Sequence, residues 1–385
     1  MSRQPALDGL RGLAILWVLS YHLFALPAKA AALGVFPSLL EFTSNGWMGV
    51  NLFFVLSGFL ITRGLVDQPR DRYYFGSFIA RRVFRIAPAY ALLLLSYPAA
   101  RFFWPASAPG AQAVFNPAIP LWSYVAFVQN FFMIPLGSFG NDWLRVLWSL
   151  ALEVQFYVFI CIALYMIPRR RTAAVLWALV AACVGFRYAV YLTMPHADTA
   201  LVVLLPSRLD SFLLGGLLVL LPRGEPGVLR TAAAAAVLAG CVGYLHAYAT
   251  GAFGPMTRYA VPLYYTVISV GCAALLDLCA SPVRPVAWLM ESDLLGEAGQ
   301  LSYFVYLFHV PFALALFHFA LHSAPSLGSL ASSVAMTGAA AAVFAAARFS
   351  DDLLETPLIR FSHTLARRPR VPAAAAVKPD TRPGV

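Results

Sequence analysis

The sequence predicts an all-α polytopic membrane protein of about ten transmembrane helices, with a re-entrant or interfacial segment in the 104–147 loop. Three observations carry that prediction. Of 385 residues, 61% are hydrophobic and only 11% charged. The apolar residues gather in runs of about 20, the length of helix that crosses a hydrocarbon core, where a helix satisfies its own backbone hydrogen bonds. The formal charge of +10 collects in the short loops between runs, the positive-inside pattern of cytoplasmic loops. That placement argues against nucleic acid as a partner. Nearly all the basic residues are Arg, with Lys29 and Lys378 the only lysines. Together with the high Ala content this points to a GC-rich bacterial genome, so the membrane expected is the inner, cytoplasmic one. Cys161, Cys183, Cys241, Cys272 and Cys279 all fall inside apolar runs without metal-ligand spacing. Neither a disulfide framework nor a metal is therefore expected.

The first span is expected at roughly 10–27. Arg3, an apolar stretch and Ala28-Lys29-Ala30 resemble a secretory leader, but cleavage there would discard Arg11 and His22, so the span is read as retained. The second, roughly 47–66, is followed by Arg70, Arg72, Arg81, Arg82 and Arg85. This densest basic patch is cytoplasmic by the charge rule, and the N-terminus with it. A third span, roughly 86–103, leads outward, with Pro88 in its first turn.

Residues 121–136 are apolar enough to cross, but counting them as a span would put Arg169-Arg170-Arg171 outside. They are read instead as a segment lying on the membrane as a lid. The remaining spans are expected at roughly 148–167, 173–193, 200–221, 230–248, 258–279, 301–320 and 329–348. Arg223, Arg230 and Arg284 then fall inside, and both termini are cytoplasmic. Residues 1–360 form one membrane-embedded domain. The basic, Pro- and Ala-rich segment 361–385 is expected to be a disordered cytoplasmic tail that touches anionic lipid.

Charged and polar side chains inside such spans are costly and mark functional sites. Arg11 and His22 are eleven residues apart, so on a helix they share a face about 17 Å apart along the axis. Arg11 is expected near the cytoplasmic face and His22 in the outer half. A neutral imidazole away from water accepts a proton from a hydroxyl, which makes His22 the candidate general base; the alternative is a histidine bonded to a backbone carbonyl. Ser149, Glu153 and Tyr157 share one helix face. Glu153 is expected at the depth of His22, where it would hold the imidazole in one tautomer, as the acid does in a Ser-His-Asp triad. The alternative is an interfacial carboxylate. Arg81, Arg82 and Arg85, clustered at the cytoplasmic mouth of the helix bundle, suit phosphate groups, although the positive-inside rule alone also explains them. Arg208 and Asp210 point to nearly opposite sides of their helix and are expected to meet partners on other helices. Ser302, Tyr306 and His309 share a face. Asn51, Ser57 and Gly58 read as close-packing residues with a polar bond, not as catalysts.

Taken in order, Asp8-Gly-Leu-Arg11 with His22, Arg81-Arg82-x-x-Arg85, Trp148-Ser149-Leu150-x-x-Glu153, Arg208-x-Asp210, Ser302-Tyr303 with Tyr306 and His309 before Pro311, and Glu355-Thr356-Pro357 resemble the acyltransferase type 3 family. These are integral-membrane enzymes that O-acylate carbohydrates and some small natural products, and the resemblance spans roughly residues 6–360. It implies transfer of an acyl group, acetyl first, from acetyl-CoA or another acyl-CoA on the cytoplasmic side to a hydroxyl of a carbohydrate or small glycosylated acceptor. His22 and Glu153 are then the catalytic pair, and Arg11, Arg81, Arg82 and Arg85 hold the donor. Arg208, Asp210, His309, Ser149 and Tyr306 shape the acceptor site. Some members carry a soluble esterase-like domain, and none is expected after residue 350. Direct transfer and an acyl-enzyme relay both remain open, as do the acceptor and the oligomeric state; membrane lipids are the other partner. The rival reading is a proton- or ion-coupled transporter, whose path the same buried charges would mark.

Overall fold

Helix is the only regular secondary structure among the described residues, which in this computed structural model are 4–30, 37–105, 107–108, 110–220, 228–254, 257–279 and 284–365. Helix α1 (Pro5–Leu19) continues through a π-helical stretch, Ser20–Ala25, into Leu26–Ala30. There follow α2 (Gly49–Val66), α3 (Tyr74–Phe103), α4 (Leu121–Val125), α5 (Gln129–Leu136), α6 (Leu147–Met166) and α7 (Arg169–Thr193). The chain then forms α8 (Leu205–Leu220), α9 (Val228–Ala249), α10 (Thr257–Cys279), α11 (Asp293–Leu321), α12 (Leu330–Ser350) and α13 (Thr356–Leu365).

Among the described residues 9 helical segments are long and apolar enough to cross a membrane, and each overlaps an expected span. The tenth, expected at 86–103, is the C-terminal part of α3, which is not among them. Because α3 starts at Tyr74, its arginines Arg81, Arg82 and Arg85 lie on the helix itself, ahead of the part expected to span, and Pro88 stands inside it, not in its first turn. The segment 121–136 breaks at Phe127, whose φ is +55°, into α4 and α5, with Tyr124, Gln129, Asn130 and Met133 buried against the bundle and Leu121, Trp122, Val125, Phe131 and Leu136 exposed. Gln129 and Asn130 are fully buried there and bond main-chain carbonyls of neighbouring elements: Gln129 donates to Leu147 O at 2.8 Å, and Asn130 to O of Val203, the last residue of a short helix Ala197–Val203, at 3.0 Å. From α6, Gln155 closes the turn by donating to Phe127 O at 2.8 Å. Helix α13 takes in the start of the expected tail, its Phe361 ring 5.9 Å from that of Phe84. The rest of that tail, and Arg3 and Arg223, lie outside the described residues.

Two glycine seams set the helix positions. Between α1 and α11, a Cβ added at Gly12 would stand 2.0 Å from Leu295 O, and one at Gly299 would stand 1.8 Å from Asp8 O. Between α2 and α8, a Cβ at Gly58 would stand 1.9 Å from Phe212 O, and one at Gly215 2.0 Å from Val55 O. Small residues let helix backbones touch in a membrane, where dispersion holds helices together. Gly12→Val is therefore expected to destabilise the protein by about 3 kcal/mol or more, read as a lower melting temperature in detergent. Gly64→Ala, on α2 with nothing within 4 Å of the added carbon, is the matched control and should leave the melt within a degree or two of the parent, roughly the size of a helix-propensity gain. Equal melts for the two variants would remove the seam's structural role.

Candidate functional site

The first cluster of polar side chains surrounds a cavity of about 80 Å³ lined by Arg11 of α1, Ser57 of α2, Arg85 of α3, Glu153 of α6, and Tyr303 and Tyr306 of α11. Glu153 Oε1 accepts from Ser57 Oγ at 2.7 Å and from Tyr157 OH at 2.5 Å. Arg11 and Arg85 form no hydrogen bond or ion pair with a described residue, so their N–H donors remain for a ligand. The arginines of α3 divide. Arg85 faces the cavity, Arg82 lies over the rings of Phe78 and Tyr157 at 5.6 and 5.5 Å, and Arg81 donates to Gln68 Oε1 at 3.2 Å. Tyr303 donates to Ile86 O at 2.8 Å, tying α11 to α3 beside Arg85.

His22 belongs to a second cavity, of about 240 Å³, lined also by Trp47, Arg145, Arg208, Tyr265 and Tyr306. It lies inside the π-helical stretch, a local widening common at functional sites. Its Nδ1 is 3.1 Å from Val18 O. A carbonyl only accepts, so Nδ1 carries the proton and Nε2 keeps its lone pair. His309 repeats the arrangement: Nδ1 donates to Tyr306 O at 2.8 Å, and Nε2 is buried without a protein partner. The two rings are 4.9 Å apart between centroids. The carbonyl-bonded histidine weighed as the alternative for His22 is thus present there and at His309, and it leaves each Nε2 without a bond to a described residue.

Glu153 does not reach His22. Its carboxylate is engaged by Ser57 and Tyr157 at the level of Arg11 and Arg85, and the Val18 carbonyl takes over the orienting role expected of it. The two cavities share Val50 and Tyr306. Tyr306 OH is 2.6 Å from Ser149 Oγ and 3.3 Å from Val146 O, so one phenol held by α6 stands between them.

Arg208 and Asp210, fully buried, do face different ways. Arg208 lines the histidine cavity and donates to Asn51 Oδ1 at 2.6 Å. Asp210 is instead 2.9 Å from Arg187 Nη2, accepts from Thr266 Oγ1 at 2.7 Å, and lines neither cavity. Its place corrects the expectation of an acceptor contact: Arg187 of α7, also fully buried, claims it and adds bonds to Pro262 O and Ser207 O, each at 2.6 Å. Sequence reasoning passed over Arg187, although a lone guanidinium within an apolar run was signal enough. It also missed Arg145, 3.3 Å from Asp142, and Tyr265. Burial pushes the Asp142 carboxyl above its ordinary value, and Arg145 opposes that. Ser57 and Asn51, read as packing residues with a polar bond, make that bond to Glu153 and Arg208. Glu355, at the sixth motif, accepts from Ser350 Oγ at 3.2 Å within a second π-helical stretch, Asp351–Glu355.

A family model described as an acyltransferase domain matches residues 4–347, a range holding Arg11, His22, Glu153, Arg208 and His309. The chain belongs to the acyltransferase type 3 family. A protein of Komagataeibacter xylinus named as a membrane-bound transacylase, BcsY, is 29% identical over 86% of this chain and 79% of its own length. A Bacillus subtilis protein named as a peptidoglycan O-acetyltransferase, YrhL, is 29% identical over 80% of this chain and 48% of its own length. A Staphylococcus aureus protein named as an O-acetyltransferase, SAS0844, is 26% identical over 80% of this chain and 50% of its own length. The acyltransferase chain thus spans about half the length of the latter two. No solved structure matches it.

Proposed function

We propose that this chain is an O-acyltransferase of the bacterial inner membrane that takes an acyl group, acetyl first, from acyl-CoA on the cytoplasmic side and delivers it to a hydroxyl of a carbohydrate acceptor. One observation carries the reading: an arginine-lined cavity and a histidine-lined cavity meet at Tyr306. The arginine end is cytoplasmic by the charge rule, with both termini on that side. Arg11 and Arg85, with no hydrogen bond or ion pair to a described residue, suit the phosphates of coenzyme A, and the narrowness of their cavity suits its thin thioester arm. The thioester supplies an acyl carbon already activated for attack. At the other end Nε2 of His22 takes the acceptor's hydroxyl proton as its oxygen forms the ester bond and the C–S bond breaks; the departing thiolate then receives that proton. Glu153 offsets the charge of Arg11 and Arg85 and holds Ser57 and Tyr157 in the donor wall. Residues 1–360 act as the catalytic domain, and 361–385 as a basic cytoplasmic tail. The name of YrhL supports a cell-wall glycan as acceptor.

The test uses inverted membrane vesicles from cells that carry or lack the gene, supplied outside with radiolabelled acetyl-CoA. Label is expected in glycan or lipid-linked glycan only when the gene is present, and surface glycans of the intact strains should differ by acetyl mass. Arg85→Gln should raise KM for the donor about tenfold with a smaller effect on kcat. Absence of gene-dependent label, or substrate flux through sealed liposomes without a donor, would refute the enzyme and favour a transporter.

A further inference from the structure

Arg208 is a buried cation without a counterion. It is 1% exposed, and two of its three nitrogens, Nε and Nη1, are buried with no protein partner. The third bonds the neutral Asn51 amide, and its Cζ lies 4.3 Å above the Tyr265 ring. The neighbouring carboxylate, Asp210, is held by Arg187. An ion left so is destabilising unless something pairs with it. Arg145 lines the same cavity, its charge shared with the partly exposed Asp142. His22, the only other titratable group among the described residues of that lining besides the tyrosines, adds no negative charge in either protonation state. The cavity therefore holds two guanidiniums against one outlying carboxylate, beside the aromatic faces of Trp47 and Tyr265 and within reach of the candidate base.

We propose that the acceptor is an anionic sugar, its carboxylate or phosphate ester bound by Arg208 together with Arg145 beside the hydroxyl that His22 deprotonates. The inference rests on the acceptor occupying the histidine cavity. The anion supplies the counterion that Arg208 lacks, through charge-assisted hydrogen bonds to Nε and Nη1, while the aromatic faces cover the sugar ring.

The test is made on the full-length protein in detergent without any acyl donor, so its outcome does not depend on whether acyl transfer occurs. Methyl glucuronide, glucose 6-phosphate and methyl glucoside are titrated, and binding is read calorimetrically. At least one anionic probe is expected to bind about tenfold or more tightly than the neutral one, and which of the two does so distinguishes carboxylate from phosphate. Arg208→Gln should erase that gap and Arg145→Gln should narrow it; if the first variant fails to fold, the second carries the comparison. Equal binding of the three probes, lack of binding by all of them included, overturns the proposal. So does a gap that survives in every folded variant. Arg208→Gln that slows acetyl transfer while the parent binds the probes alike would assign Arg208 to the reacting oxygen, and would also overturn it.

Discussion

His22→Ala is expected to lower acetyl transfer by about 10²–10⁴-fold, the usual contribution of a positioned base, with the melting temperature close to that of the parent. The size follows from the bonding of the ring: Nδ1 is fixed on the Val18 carbonyl of its own helix, so only Nε2 is available for the hydroxyl proton. His309→Ala is expected to cost less, because His309 packs on the His22 ring and is 1% exposed. Since the rings touch, the double variant should be less impaired than the product of the single effects. Rates measured with labelled donor on reconstituted protein decide the matter. An active His22→Ala enzyme would remove the base, and strict multiplicativity would separate His309 from it.

Arg187→Gln is expected to destabilise the protein by about 3–5 kcal/mol, because it strands the buried Asp210 carboxylate. Arg187→Met with Asp210→Leu should recover part of that loss, since no buried ion is then left alone. Recovery would be incomplete because the Pro262 and Ser207 carbonyls lose their donor. Thermal unfolding of the four proteins gives the coupling. Asp210→Asn is the sharper variant: with Asp210 a structural group, KM for the acceptor stays near that of the parent among molecules that remain folded. A large rise in acceptor KM with stability intact would return Asp210 to the substrate.

The spans were legible in the sequence because a hydrocarbon core demands a fixed length of apolar helix. Even the interruption at 121–136 could be inferred, from the side on which Arg169–Arg171 must lie. Its burial was not legible: a Gln-Asn pair reads as surface until neighbouring elements offer it carbonyls. Arg11, His22 and Arg208 stood out as candidates because ionisable groups in apolar runs are rare. The partner of His22 was misassigned, since depth along a helix can be counted in residues while its rotation toward a neighbour cannot. Glu153 has the right residue type on a suitable helix, yet Ser57 and Tyr157 capture it first. The π-helical stretch around His22 had no local signature in Ser20-Tyr21-His22-Leu23-Phe24-Ala25.

The seam at Gly12 and Gly299 presses main chain against main chain, and the two imidazoles ride on the helices it joins. Bilayers that thin or thicken make spanning helices tilt, but two rods clasped without intervening side chains lean together. The gap between His22 and His309 is in that sense gauged by peptide planes, and a change of lipid would shift the pair as a unit without prising it open.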